Sequence, residues 1–479
     1  MRLRGKAALA VGAGALAAAL AGAAATGAAA TGAAAAGAAA AGPSAPAVVI
    51  RPGVQHLGHS SGQPPTTADC KASFQVACYE PAQIQQAYNL PELYGQGVNG
   101  RGTTIVIVES FGSPTIAADL ATFDQRFGLL APPSFQIIQP VGQVPRYDSS
   151  NSQMVSWAGE TSLDVEYAHA IAPGASILLV ETPVAETEGV NGFPQIVRAE
   201  EYVIDHHLGD VISQSFSATE QTFGSRASVE ALRGVYTDAE RNHVTVLAAS
   251  GDSGAADVGL DRQTFYAFPV TNWPASDPLV TSVGGTQLHL DAKGDRISPD
   301  TAWNDTYNTR AQHFIFGDSG PNPLATGGGR SVYFSRPPYQ NPVRNVVGPS
   351  RGVPDISMSA ACDGAVDVYQ SFGGQPPGWY PTCGTSEAAP LFAGVVALAD
   401  QVARHPLGLI NPALYLMAAR HLPGLVDVTS GGNTVSFTQN RRLRTLPGFT
   451  AGPGYDLATG VGTVNAAEFV PELAALAGR

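Results

Sequence analysis

Three stretches of this chain hold residues whose types and spacing could do chemistry. The first is Cys383-Gly384-Thr385-Ser386-Glu387-Ala388-Ala389-Pro390, which runs without a break into Leu391-Phe392-Ala393-Gly394-Val395-Val396-Ala397-Leu398-Ala399-Asp400. The second half is apolar on nearly every face and predicts a helix buried in a large core. Ser386 then stands at its mouth, after a Gly384 that permits a tight turn and before a Pro390 tolerable only near a helix start. A hydroxyl there can attack a carbonyl while unpaired backbone N–H groups face the oxygen that becomes charged. Thr385 and Ser386 acting only as helix caps would explain the octapeptide equally well.

The second stretch, Gly159-Glu160-Thr161-Ser162-Leu163-Asp164-Val165-Glu166-Tyr167-Ala168-His169, puts two carboxylates four positions apart. On a helix Glu160 and Asp164 share a face, with Cβ atoms about 6 Å apart. Two acids so close resist joint ionisation, which suits one to act as base while its neighbour steadies it. Two solvated acids on an outer face are the plainer alternative. The third stretch, Ser250-Gly251-Asp252-Ser253-Gly254, follows a β-branched run directly. Asp252 there is either a catalytic group at the end of a strand or the side chain of an Asx turn.

The elements that must position these groups are legible as alternating periods. Continuous apolar or β-branched runs predict strands at 103–109, 135–139, 176–181, 211–215, 244–249 and 280–286. Helical spacing recurs at 115–127, 160–171, 193–206, 225–242 and 411–420. Strand–helix alternation of this kind gives a parallel sheet with crossovers on both faces, and functional groups collect at its carboxyl edge. Glu109 closes the first of these strands, where it acts either on the site or as a structural acid. No internal repeat is evident.

Composition narrows the function. With 26 Lys and Arg against 39 Asp and Glu, the net charge of −13 excludes nucleic acid as an expected partner. The basic start and the Ala/Gly/Leu run that follows predict a signal peptide and low-complexity leader over 1–42, with a membrane anchor as the weaker alternative. A Pro/Ser/Gly-rich linker or arm follows over 43–78, and the folded domain is expected over 79–479. No later stretch is apolar enough to span a bilayer. Secretion favours pairing of the four cysteines, and proximity suggests Cys70 with Cys78 and Cys362 with Cys383, although three pairings are open. The second bridge would fix the approach to Ser386.

Taken together, Glu160-x-x-x-Asp164 continuing into Ala172-Pro173-Gly174-Ala175, Ser250 to Gly254, and Gly384-Thr385-Ser386 resemble the sedolisin family of serine-carboxyl peptidases, the kumamolisin and tripeptidyl-peptidase type. The resemblance runs from about Tyr79 to the C-terminus. It implies a single catalytic domain of the α/β class, a subtilisin-like parallel β-sheet flanked by helices. It implies Ser386 as nucleophile, Glu160 as general base and later acid, Asp164 orienting Glu160, and Asp252 as a protonated donor to the oxyanion. An unperturbed aspartic acid is protonated only near or below pH of about 4, so activity is expected in acid. One structural Ca²⁺ is also implied, held by the carboxylates of Asp427 and Asp456 and the carbonyls of Val428, Gly452 and Gly454.

The expected protein is thus a secreted monomer acting on polypeptides, with no stable membrane association; a non-catalytic binding protein on the same scaffold is the rival. Two departures from the family pattern stand out. Phe216 occupies a place where members often carry a tryptophan, and only a short arm stands where members carry a large propeptide. Either the domain folds unaided or its inhibitor is elsewhere.

Overall fold

The computed structural model describes residues 55–317 and 320–477, so the leader expected over 1–42 and the first part of the arm lie outside the described residues. Eight strands form the main sheet: β1 (Thr104–Ser110), β2 (Phe135–Ile138), β3 (Ser176–Thr182), β4 (Val211–Gln214), β5 (Thr245–Ala249), β6 (Thr281–Gln287), β7 (Thr301–Ala302) and β8 (Ile356–Ser359). Their order is β7-β6-β5-β4-β1-β3-β2, with β8 also pairing β6. Every pairing is parallel except that of the short edge strand β7.

Both faces of this sheet are covered, as parallel strands require. Successive side chains of a strand point to opposite faces. Ile105 and Ile107 of β1 accordingly enter one core, while Val106 and Val108 enter the other. The helices that cover the sheet are α1 (Ile116–Phe127), α2 (Ser152–Ile171), α3 (Phe193–Asp205), α4 (Gly234–Arg241), α5 (Thr385–Ala403) and α6 (Ala466–Leu476). On the first face α5 lies against β4, β5, β6 and β8, with α2 and α6 packed on it. On the second, α3 and α4 pack together over β1, β3 and β5. As its composition predicts, α5 is buried from Thr385 to Asp400.

Some boundaries differ from the sequence reading for local reasons. Helix α2 starts at Ser152, well before Glu160, because the Asn151 side chain caps it by accepting from the N–H groups of Gln153 and Met154. The helix expected over 225–242 is two pieces, Arg226–Glu230 and α4, with Gly234 at the junction lowering helix propensity. Residues 55–78 are also more than a linker. Gln55–His56 pairs antiparallel with the strand Gly378–Cys383, and Cys78–Tyr79 pairs parallel with Ala365–Val366. Between them Thr66 and Asp69 form a capping box on the helix Thr67–Ser73. Their order comes from distant strand partners and from the Cys70–Cys78 disulfide, neither of which composition reveals. The second bridge, Cys362–Cys383, is formed as proximity suggested.

Candidate active site

Ser386 follows Gly384, whose φ of 133° and N–H bond of 2.9 Å to the Ala360 carbonyl turn the chain from the strand Gly378–Cys383 into α5. It lines a cavity of about 400 Å³ at the carboxyl edge of β4 and β5, together with Thr385, Asp252, Ser215 and Phe216. Asp252 lies in the turn after β5. Its Oδ1 accepts from both the N–H and the hydroxyl of Thr385, each at 2.7 Å. The Thr385 hydroxyl in turn accepts from Gly251 N–H at 3.1 Å, so the two loops are stitched reciprocally. Gly251 is required there: with φ of 108°, a Cβ would stand 2.5 Å from the Asn272 amide nitrogen.

The other oxygen of Asp252, Oδ2, has no hydrogen-bond partner. Removal from bulk water pushes this carboxyl up to about 7, against the opposing pull of the two Thr385 bonds. A carboxylic acid that keeps its proton so far above the usual aspartate range can donate a hydrogen bond into the cavity that Ser386 lines. The Asx-turn alternative does not describe it, because its bonds run across to Thr385 rather than along its own turn.

Glu160 and Asp164 are both fully buried on α2, which disposes of the solvated-face alternative. Asp164 is pushed up to about 7 by burial, against the opposing pull of its polar neighbours Ser215 and Glu109. Glu109, also fully buried, is raised well above the carboxylate range by burial first and then by Asp164 and Glu160. Sequence reasoning left Glu109 undecided; its contact with Asp164 makes it the third member of one carboxyl line. The Ser215 hydroxyl, a neighbour of Asp164, donates at 3.4 Å to the main-chain carbonyl of Ser386. Phe216 occupies the expected departure, and Trp157 of α2 lines the cavity with its ring centroid 6.4 Å from that of Phe216.

Other groups singled out in the sequence fall into structural roles or outside the cavity. His169 is fully buried, its Nε2 2.9 Å from the Leu130 carbonyl and 3.3 Å from Asp124. Asp427 and Asp456 meet at the turn 452–456, where Asp427 Oδ2 accepts from Gly454 N–H at 2.8 Å and Asp456 Oδ2 from Gly452 N–H at 3.0 Å. Asp456 Oδ1 is further bound by the N–H groups of Ala458 and Thr459. The carbonyls of Val428, Gly452 and Gly454 would complete an all-oxygen donor set of the kind that suits a hard cation such as Ca²⁺. Among the described residues no cluster of three or more His, Cys, Asp or Glu is placed to hold a metal.

The subtilase family model matches residues 151–416, which span α2, the turn of Asp252 and all of α5. The chain belongs to the sedolisin branch of that family. It is 33% identical over 394 residues to kumamolisin of Bacillus sp. (strain MN-32), covering 80% of this chain and 62% of that protein. It is 29% identical over 370 residues to sedolisin of Pseudomonas sp. (strain 101), covering 76% and 57%, and 29% identical over 404 residues to human tripeptidyl-peptidase 1, covering 80% and 62%. The chain thus spans about three fifths of the length of these sedolisin relatives. A solved structure of Pseudomonas sedolisin, a serine-carboxyl proteinase complexed with two molecules of pseudo-iodotyrostatin, matches with a TM-score of 0.67 at 26% identity, over 82% of this chain and 97% of that one. The subtilisin-like α/β sheet expected for a sedolisin is therefore the fold found. No helix among the described residues is long and apolar enough to cross a membrane.

Proposed function

We propose that this chain is a secreted, acid-acting serine-carboxyl peptidase. The observation that carries the reading is the presence in one cavity of Ser386 and a carboxyl, Asp252, anchored through one oxygen on Thr385 and holding its proton up to about 7. In the proposed reaction Ser386 Oγ attacks the peptide carbonyl carbon and its proton passes to Glu160, which Asp164 and Glu109 hold in place. The carbonyl oxygen gains the negative charge and is met by the protonated Oδ2 of Asp252. Collapse breaks the C–N bond, and the leaving amine takes the proton back from Glu160. Water then hydrolyses the acyl-serine ester with Glu160 as base again, restoring the hydroxyl. A carboxylate base suits acid, where an imidazole would already be charged.

Polypeptides are the proposed substrates, in keeping with the similarity to tripeptidyl-peptidase 1. A single Ca²⁺ on Asp427, Val428, Gly452, Gly454 and Asp456 is proposed to tie the C-terminal turn; it supplies structural charge and takes no part in the bond-breaking steps. The deciding experiment is digestion of denatured casein at pH of about 4 by wild type, Ser386→Ala and Glu160→Gln. Loss of at least about 10³-fold is expected in each variant. Full activity in the Ser386 variant would end the assignment.

A further inference from the structure

The cavity beside Ser386 is unbalanced in charge. Besides Asp252 its wall includes Glu186 and Glu188, from the segment joining β3 to α3, and Asp257, from the loop after β5; among the described lining residues Arg262 is the one cation. These acids are held by the fold. Glu188 Oε2 accepts from the N–H of Thr219 at 3.0 Å and the hydroxyl of Thr222 at 3.1 Å, while Glu186 N–H donates to Ser110 at 3.1 Å. Asp257 accepts from the Asn272 amide at 2.7 Å and from Val258 N–H at 2.8 Å. The segment closes tightly on itself at Gly192, where φ is 88° and a Cβ would stand 2.3 Å from the Ala185 carbonyl oxygen.

Beside Asp252 Oδ2, two oxygens of the lining remain unsatisfied. Glu186 Oε1 and Asn272 Oδ1 are buried without a hydrogen-bond partner, and Asn272 is only 5% exposed. Both are acceptors. Buried acceptors that find no donor in the protein call for one in the ligand, and an excess of carboxyls over cations calls for positive charge.

We propose that this cavity receives the lysine or arginine side chain of the substrate residue whose carbonyl is attacked. The inference rests on the peptidase reading: Ser386 and Asp252, which would meet the carbonyl carbon and oxygen, line the same cavity as the acids, so the side chain entering it is the one nearest that carbonyl on the acyl side. Burial raises Glu186 well above the carboxylate range, Glu188 to about 8 and Asp257 to about 6, with Tyr266, Asp252 and Arg262 the other titratable or charged groups around them. An entering cation therefore displaces protons from this cluster, and the preference for a basic side chain strengthens as pH rises.

The test uses N-acetylated peptides that differ only at the acyl-side residue, carrying lysine, arginine, norleucine or glutamine, with kcat/KM measured at pH 4 and pH 6. Acetylation removes the terminal ammonium as a competing cation. The lysine and arginine peptides are expected to lead norleucine by about tenfold or more at pH 6, with a smaller lead at pH 4. Glu186→Gln and Glu188→Gln should each reduce that ratio several-fold. The ratio is internal to each preparation, so a poorly folding variant still reports it. Equal cleavage of norleucine and lysine peptides at both pH values, or a ratio untouched by both substitutions, overturns this inference alone. Absence of cleavage of every peptide and of denatured casein overturns the peptidase reading and this inference with it.

Discussion

Asp252 is joined to Thr385 twice through one oxygen, at 2.7 Å to the N–H and 2.7 Å to the hydroxyl, and the residue it grips is the immediate neighbour of Ser386. Those bonds favour the charged carboxyl, yet loss of bulk water outweighs them and the group reaches about 7. A proton on Asp252 therefore does not depend on the ordinary aspartate range near pH of about 4. The donor persists into weakly acid solution.

The pH profile of Asp252→Asn follows. Wild-type kcat/KM should fall as pH rises through about 7, where both Asp252 and Asp164 lose their protons. Asparagine can accept from Thr385 with its oxygen and donate with its nitrogen at any pH. The variant should lose activity overall, by less than the ~3–4 kcal/mol typical of deleting an oxyanion donor. Its alkaline limb should be shallower, near one rather than two log units per pH unit. Identical limbs in the two proteins would remove Asp252 from the titrating machinery.

Stability should depend on pH through a different acid of the same helix. Glu166 of α2 is fully buried and accepts from Tyr369 N–H at 2.9 Å, and burial raises it well above its ordinary 4.5, with Asp119 and Asp124 adding to the effect. The folded chain then holds a proton that the unfolded chain releases. Its contribution is complete below about 4.5 and is lost as pH rises toward and through the folded value. Glu166→Gln keeps an oxygen for Tyr369 and cannot ionise. Thermal melts of variant and wild type should lie close at pH 4 and separate by several degrees in favour of the variant at pH 8. Parallel curves would show that Glu166 does not carry the dependence.

How far the sequence could be read depended on whether a residue's partner was local. The run Thr104 to Ser110 and the apolar α5 announced themselves because burial on two faces, or all round, leaves a compositional mark. The stretches around Ser386, Glu160, Asp164 and Asp252 stood out through their motifs, and the structure gathers Ser386 and Asp252 at one cavity and buries Glu160 and Asp164 on α2. The acids of the cavity wall did not stand out: Glu186-Thr187-Glu188 reads as an exposed polar loop, and it is half-buried in the wall by contacts remote in sequence, of Glu188 with Thr219 and Thr222 and of Glu186 with Ser110. The hairpin Val435–Gln439 with Arg442–Leu446 was equally silent. Its arginines suggest a surface loop, yet Val435, Phe437 and Leu446 pack on Ala255, Val258 and Phe265 and buttress the loop that carries Asp257. Gln439 fixes that contact by accepting from Phe265 N–H at 2.8 Å.

Calcium provides the last prediction, and Asp427 is where it is most sharply tested. Asp456 is engaged by donors of its own loop through both oxygens, whereas Asp427 is exposed and accepts from Gly454 alone among the hydrogen bonds described. Two carboxylates drawn to one turn repel each other unless a cation lies between them, so removal of the ion should loosen the turn 452–456. A ligand at 100 times its Kd adds about 2.7 kcal/mol to stability. A chelator should therefore lower the melting temperature of wild type, and excess Ca²⁺ should restore it where Mg²⁺ does not, since Mg²⁺ demands a tighter octahedral shell. Asp427→Ala should melt at the chelated value whether or not Ca²⁺ is present. A wild-type melt indifferent to both chelator and Ca²⁺ would reduce these residues to a hydrogen-bonded turn.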